Sequence, residues 1–264
     1  MSVMRKQETK SWSHVVAAAV FVALVGCGGE VSRESELEGA DEAVRAFGPF
    51  PVLPLPLENL IPISDISSSM GNEKHYRFVV PPGQMHPKFT LSGGVGNADI
   101  YVKYNQKPST SNYDCKSETL TNGESCVLSS PYPSGGTWYV MVRATQDYSG
   151  ATLHGEYSLN DGISVEGLAG STGNVKYFKI STQTQQNVVL NVVLSGGTGD
   201  ADIYVKRGAL PTLSDYDCRG YKPHSNEEFC ELSSYSAGTY YIMVHGFYSY
   251  SNATLQAYSI NHPG

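Results

Sequence analysis

The sequence predicts an all-β protein built from two consecutive β-sandwich domains. Three observations carry this. The chain repeats itself at domain scale: residues 91–103 read LSGGVGNADIYVK and residues 194–206 read LSGGTGDADIYVK, at an offset of 103 residues. Apolar residues alternate at strand period within short runs bounded by Gly-rich turns. No stretch of ten or more residues within the repeats shows helical spacing. A period near 100 residues is too long for a solenoid unit and suits a whole small domain.

The N-terminus reads as an export signal over residues 1–26. Arg5, Lys6 and Lys10 precede an apolar run from Val15 to Val25, too short to span a bilayer. The run ends in Leu24-Val25-Gly26-Cys27, which resembles the lipobox of bacterial lipoproteins. That resemblance implies cleavage before Cys27, lipidation of its thiol and a membrane lipid anchor. Gly28 in place of Asp implies an outer-membrane destination; an ordinary secretory signal is the competing reading. Residues 27–56 read as a tether. Glu30, Glu34, Glu36, Glu38, Asp41 and Glu42 keep its first part solvated, and Pro49, Pro51, Pro54 and Pro56 stiffen the second.

Domain one is assigned to residues 57–160 and domain two to residues 161–264. Ala98–Lys103 puts Ile100 and Val102 on one strand face and Asp99, Tyr101 and Lys103 on the other. Thr137–Arg143 aligns Trp138, Val140 and Val142 in the same way, and Asn187–Leu194 is β-branched and buried in character. Ser92-Gly-Gly, Ser134-Gly-Gly, Ser195-Gly-Gly and Ala237-Gly supply turns. The linker around Ser158–Gly162 is short, which holds the domains close without setting their angle.

Cysteine count supports the duplication. Cys115 and Cys126 lie in repeat one, Cys218 and Cys230 at matching places in repeat two, and Cys27 is left over. One short disulfide loop per repeat is expected, in an oxidising compartment. Spacings without a C-x-x-C pair argue against zinc. The net charge of −7 becomes −9 once residues 1–26, with three basic residues and Glu8, are removed. Such a balance excludes nucleic acid as an electrostatic partner.

Further matches extend the repeat. Tyr113-Asp-Cys115 returns as Tyr216-Asp-Cys218, Gly136–Val142 as Gly238–Val244, and Tyr148–Leu153 as Tyr250–Leu255. Together these motifs resemble the bacterial pre-peptidase C-terminal domain, across both repeats. The resemblance implies a jelly-roll-like β-sandwich usually appended to secreted peptidases. It also implies attachment to insoluble polymer or extracellular protein, in some relatives with calcium. No peptidase domain is expected ahead of the repeats.

No His-Glu-x-x-His or Gly-x-Ser-x-Gly motif occurs, and the histidines do not recur between repeats. No catalytic residue is assigned. The expected function is a non-catalytic surface or secreted accessory module that attaches to polymeric protein or polysaccharide or assists a peptidase. A peptidase-associated fragment or unrecognised hydrolase is one alternative, and a structural envelope lipoprotein is the other.

Two sets of site residues stand out. Asn97 with Asp99, and Asp200 with Asp202, place oxygen donors two apart after a Gly-rich turn, a spacing that suits Ca²⁺. Glu73, Glu166, Asp114 or Asp217 would complete the shell. The alternative is that Asp99 and Asp202 accept backbone N–H bonds and cap the turn. The second set is aromatic. Tyr139 and Met141, and Tyr241 and Met243, share strand faces, and Tyr248 and Tyr250 follow in copy two. They are read as a ligand-binding strip, or else as a face covered by the second sheet or the sister domain.

Overall fold

The computed structural model describes residues 53–261, apart from 134, 184–187 and 234–235. The signal segment, Cys27 and most of the tether lie outside them. The first repeat comprises β1 (Leu55–Leu57), β2 (Ile63–Ser68), β3 (Glu73–Val80), β4 (Lys88–Ser92) and β5 (Ala98–Tyr104). It continues with β6 (Cys115–Ser117), β7 (Glu124–Val127), β8 (Gly136–Ala144) and β9 (Tyr148–Glu156). The second comprises β10 (Val165–Gly170), β11 (Val175–Thr182), β12 (Val188–Ser195) and β13 (Ala201–Arg207). It ends with β14 (Cys218–Gly220), β15 (Glu228–Ser233), β16 (Gly238–Gly246) and β17 (Tyr250–Asn261). The described residues contain no helix, as the missing helical period predicts.

Each repeat is a long hairpin folded over on itself. In the first, β2 pairs with β9, β3 with β8, β4 with β7 and β5 with β6, all antiparallel. The second repeats this as β10 with β17, β11 with β16, β12 with β15 and β13 with β14. The resulting sheets run β2-β9-β4-β7 and β3-β8-β5-β6 in copy one, and β10-β17-β12-β15 and β11-β16-β13-β14 in copy two. Two four-stranded layers wound in this order make a jelly-roll sandwich. Copy one adds β1, parallel to β3, so Leu55 and Pro56 of the expected tether are strand residues and Leu57 is buried.

The alternation read from sequence supplies the core. Ile100, Val102, Trp138, Val140 and Val142 are fully buried, as are Ile203, Val205, Ile242 and Val244. Burying side chains of this size contributes about 1.5–3 kcal/mol each. The Ser-Gly-Gly-x-Gly motif has a steric cause. A Cβ on Gly94 would lie 2.1 Å from the Ser149 carbonyl oxygen, and one on Gly197 2.1 Å from that of Ser251. There the β4–β5 turn presses backbone to backbone on the start of β9, with Val95 bridged to Ser149; Thr198 and Ser251 repeat the bridge. Only a residue without a side chain fits.

Both expected disulfides are present. Cys115 and Cys126 have Cα atoms 5.9 Å apart, Cys218 and Cys230 5.8 Å apart. Each ties the short edge strand of one sheet to that of the other.

The sandwiches also share a packed junction, which the linker sequence left open. Tyr157 contacts Phe78 of its own repeat and Phe178 of the next, edge to face at 6.0 and 6.5 Å. Lys179 pairs with Glu156 at 2.8 Å, and the Leu159 N–H donates to the Lys179 carbonyl at 2.7 Å. Buried Gln84 donates to the carbonyls of Ile163 and Ser164 and accepts from the Asn160 N–H at 2.9 Å.

Candidate functional site

The Gly-rich turn and the loop between the paired cysteines meet at one end of each sandwich. Asn97 and Asp200 stand one residue before β5 and β13, and Asp99 and Asp202 are the second residues of those strands. All four are buried, at 7, 3, 5 and 6% exposure respectively. Capping of the turn falls to other residues. Asn122 donates through Nδ2 to the carbonyls of Gly93 (2.9 Å) and Val95 (3.2 Å). Asn226 does the same to Gly196 (2.9 Å) and Thr198 (3.1 Å). Sequence reasoning missed this pair. The signal was available, since Asn-x-Glu recurs four residues before the second cysteine of each repeat.

The Glu of that triplet is buried in both copies, but its partners differ. Glu124 accepts from the Ser117 hydroxyl, the Thr119 N–H (3.0 Å) and the Thr119 hydroxyl (2.6 Å). Glu228 accepts from the Lys222 N–H at 2.8 Å through Oε1, and its Oε2 has no hydrogen-bond partner. Gly220 pairs with Ile203 as Ser117 pairs with Ile100, and Lys222 stands where copy one has Thr119, so copy two lacks both hydroxyls. Burial first, with Asp202 and Asp200 adding to it, raises the Glu228 carboxyl to about 7.

The carboxylates differ likewise. Burial, followed by the charges of Glu124 and Glu118, raises Asp99 to about 6. Glu118 itself accepts from the Tyr101 hydroxyl at 2.5 Å and pairs with Lys116 at 2.6 Å. In copy two, burial and then Asp200 raise Asp202. Asp200 accepts the His224 N–H at 2.8 Å through Oδ2, while its Oδ1 has no partner. Neither Asp200 nor Asp202 forms an ion pair among the described residues.

Asp200 and Asp202 line a pocket of about 280 Å³ together with Tyr221, Pro223, His224, Phe247 and Tyr248. Phe247 and Tyr248 stand where copy one has Thr145 and Gln146. His224 stacks on Tyr248 at 6.2 Å with 8° between the rings. Sequence alone did not connect residues 200, 224 and 248, because three separate loops bring them together.

The remaining expected ligands have other engagements. Asp114 accepts from the Tyr104 N–H at 2.7 Å and pairs with Lys103; Asp217 accepts from the Arg207 N–H at 2.8 Å. Glu73 lies beside His75 and Arg143, and Glu166 lines hollows at the junction of the repeats. Among the described residues no three His, Cys, Asp or Glu side chains are grouped to hold a metal ion.

The aromatic strip divides. Tyr248 is half exposed, as is its neighbour Phe247. Tyr139 lies half-buried between Arg77 and Lys103 in register, and Tyr241 between Lys179 and Lys206. Tyr250, expected at the ligand surface, is instead buried in the core at 4% exposure, against Gly170 and Gly199. Met141 and Met243 are also buried. They sit beside Tyr101 and Tyr204, which carry Tyr113 and Tyr216 at ring distances of 5.8 and 5.4 Å. This outer face of the sheet is therefore covered by its own chain.

Comparison with known proteins finds the same family twice. The family model for the bacterial pre-peptidase C-terminal domain matches residues 73–144 and 174–246. The chain is 41% identical over 102 residues to alkaline serine exoprotease A of Vibrio alginolyticus, covering 39% of this chain and 18% of that protein. It is 30% identical over 184 residues to a neutral protease of Vibrio proteolyticus, covering 63% and 30%. It is 41% identical over 98 residues to a zinc metalloprotease of Helicobacter pylori, covering 37% of each. The chain thus spans less than two fifths of each of these relatives. A solved structure, "Solution structure of vEP C-ter 100", is 37% identical, covering 39% of this chain and 99% of that one with a TM-score of 0.34.

Proposed function

Because the chain belongs to the bacterial pre-peptidase C-terminal domain family, we propose that it is an exported, non-catalytic module. It attaches to polymeric substrate, protein or polysaccharide, or assists a peptidase acting on one. The carrying observation is the duplication of a family domain found in proteases, here folded as two disulfide-closed jelly rolls. Disulfides persist in oxidising compartments, which supports export. In this reading Cys27, outside the described residues, carries a lipid that holds the chain to the outer membrane.

Co-sedimentation with collagen, chitin and cell-wall preparations tests the attachment. Retention on at least one of them above a soluble-protein control is expected. Absence of retention on all of them, or hydrolysis of casein or gelatin that a point mutation in this chain abolishes, defeats the reading. The anchor is tested separately: Cys27→Ala moves the protein from the membrane to the soluble fraction, and equal retention of the variant refutes lipidation.

A further inference from the structure

The geometry points to the copy-two pocket as a receptor for a basic side chain, lysine or arginine, of an extracellular polypeptide. This rests on the attachment reading above and names the chemistry by which one repeat would grip its polymer. The floor is acidic: Asp200 and Asp202 are buried at 3 and 6% exposure, without an ion pair among the described residues, and Asp202 accepts only a long hydrogen bond from the Tyr204 hydroxyl at 3.5 Å. Asp200 Oδ1 in particular has no hydrogen-bond partner. A buried carboxylate oxygen without a donor is costly, and an incoming cation with N–H donors removes that cost.

The walls select among cations. A hard metal ion needs six to eight oxygens, whereas Tyr221, His224, Phe247 and Tyr248 offer ring faces and apolar edges. Rings suit an ammonium or guanidinium on an alkyl stem, through cation–π attraction and stem burial. Arg219 already shows this contact on the adjacent surface, its guanidinium 3.8 Å from the centre of the Tyr221 ring. Phe247, Tyr248 and Tyr221 remain 51–57% exposed. Arg219 covers part of Tyr221 and His224 part of Tyr248, so a partner would meet the ring surface that these leave open. A volume of about 280 Å³ accommodates one side chain rather than a folded surface. Copy one shares the unpartnered buried oxygens, at Asn97 and Asp99, but lacks the second floor carboxylate and the aromatic walls: Asn97 stands for Asp200, and Thr145 and Gln146 stand for the two aromatics.

The test is an amide NMR titration of the chain with N-acetyl-lysine methylamide and N-acetyl-arginine methylamide, against the norleucine analogue. Saturable shifts at residues 200–202, 224 and 247–248 with the basic probes, and none with norleucine, are expected. Tyr248→Ala, at an exposed wall, weakens binding by about tenfold with an unchanged melting temperature. Asp200→Asn weakens it at least as much, while Gln146→Ala in copy one leaves it intact. Equal shifts with norleucine, or unchanged affinity in both Tyr248→Ala and Asp200→Asn, overturn the proposal. So does full displacement of the basic probes by calcium chloride, which would make the pocket a metal site. Retention on insoluble polymer without probe binding removes this assignment and leaves the attachment reading. Probe binding without retention on any polymer removes the attachment reading and leaves the pocket.

Discussion

Replacing Gly197 by alanine, with Gly196→Ala as its control, tests the steric account of the turn that builds the site. Both glycines have left-handed backbone, with φ of +70° and +72°. Each alanine therefore meets the same conformational penalty of about 1 kcal/mol. The surroundings differ. A Cβ at Gly196 meets no heavy atom within 4 Å, whereas one at Gly197 falls 2.1 Å from the Ser251 carbonyl oxygen. Real Cβ contacts do not fall below 3.0 Å, so the turn and β17 must separate by at least ~0.9 Å. That movement breaks the reciprocal Thr198–Ser251 backbone hydrogen bonds, both 2.9 Å. At about 1 kcal/mol per bond, Gly197→Ala should cost about 3 kcal/mol in total. The ~2 kcal/mol difference between the variants corresponds to roughly 8 °C or more in a domain of this size. Thermal unfolding by circular dichroism and calorimetry measures it. Copy one provides a replicate, since Gly94 faces the Ser149 oxygen at 2.1 Å while the nearest atom to Gly93 is at 3.8 Å. Indistinguishable melting temperatures within each pair would refute the close-approach argument.

Other expectations concern charge and covalent closure. Glu228 keeps its proton to about 7 when folded, against 4.5 for the ordinary carboxyl. Between those values the unfolded state binds fewer protons, so the contribution is complete below pH ~4.5 and is lost as pH rises through ~7. The loss is at most about 3 kcal/mol; Glu228→Gln should flatten the decline between pH 5 and 8, and an identical pH profile in the variant contradicts this. Asp99, raised to about 6, should contribute a smaller decline of the same sign over a lower range, measured by comparing Asp99→Asn. Opening either disulfide loop, of 11 or 12 residues, by Cys→Ala at both ends should cost about 3 kcal/mol on the chain-entropy account. Denaturant midpoints report that cost, and non-reducing peptide maps showing a bridge between the repeats would overturn the pairing.

Much of the fold was legible because strand periodicity and duplication are local signals read twice. Alternation assigned Ile100, Val102, Trp138, Val140 and Val142 to one face, and that face is the core. The same alternation leaves the face of Met141 and Met243 open between a binding strip and a covered face. A period of two says that a strand has two faces, not that one of them is wet. Here the outer face of β8 and β16 carries its own aromatic cover, so Met141 and Met243 are buried too. The site was half legible. Asp99 and Asp202 were found beside the glycines, but Asn122 and Asn226 hold the turn, and Glu228 differs from Glu124 through the two hydroxyls, of Ser117 and Thr119, that copy two lacks.

The sequence by itself determined the number of domains, their all-β class, the disulfide pairing and the position of the Gly-rich turn. Each of these is read from residue spacing along the chain and from its repetition. Tertiary structure alone decided the packed junction through Tyr157, Phe178 and Gln84, and the pocket that gathers Asp200, His224 and Tyr248. In a jelly roll, residues far apart in the chain become neighbours when the long hairpin folds over. No periodicity records which loops then meet, because that depends on closing the two sheets around a shared core.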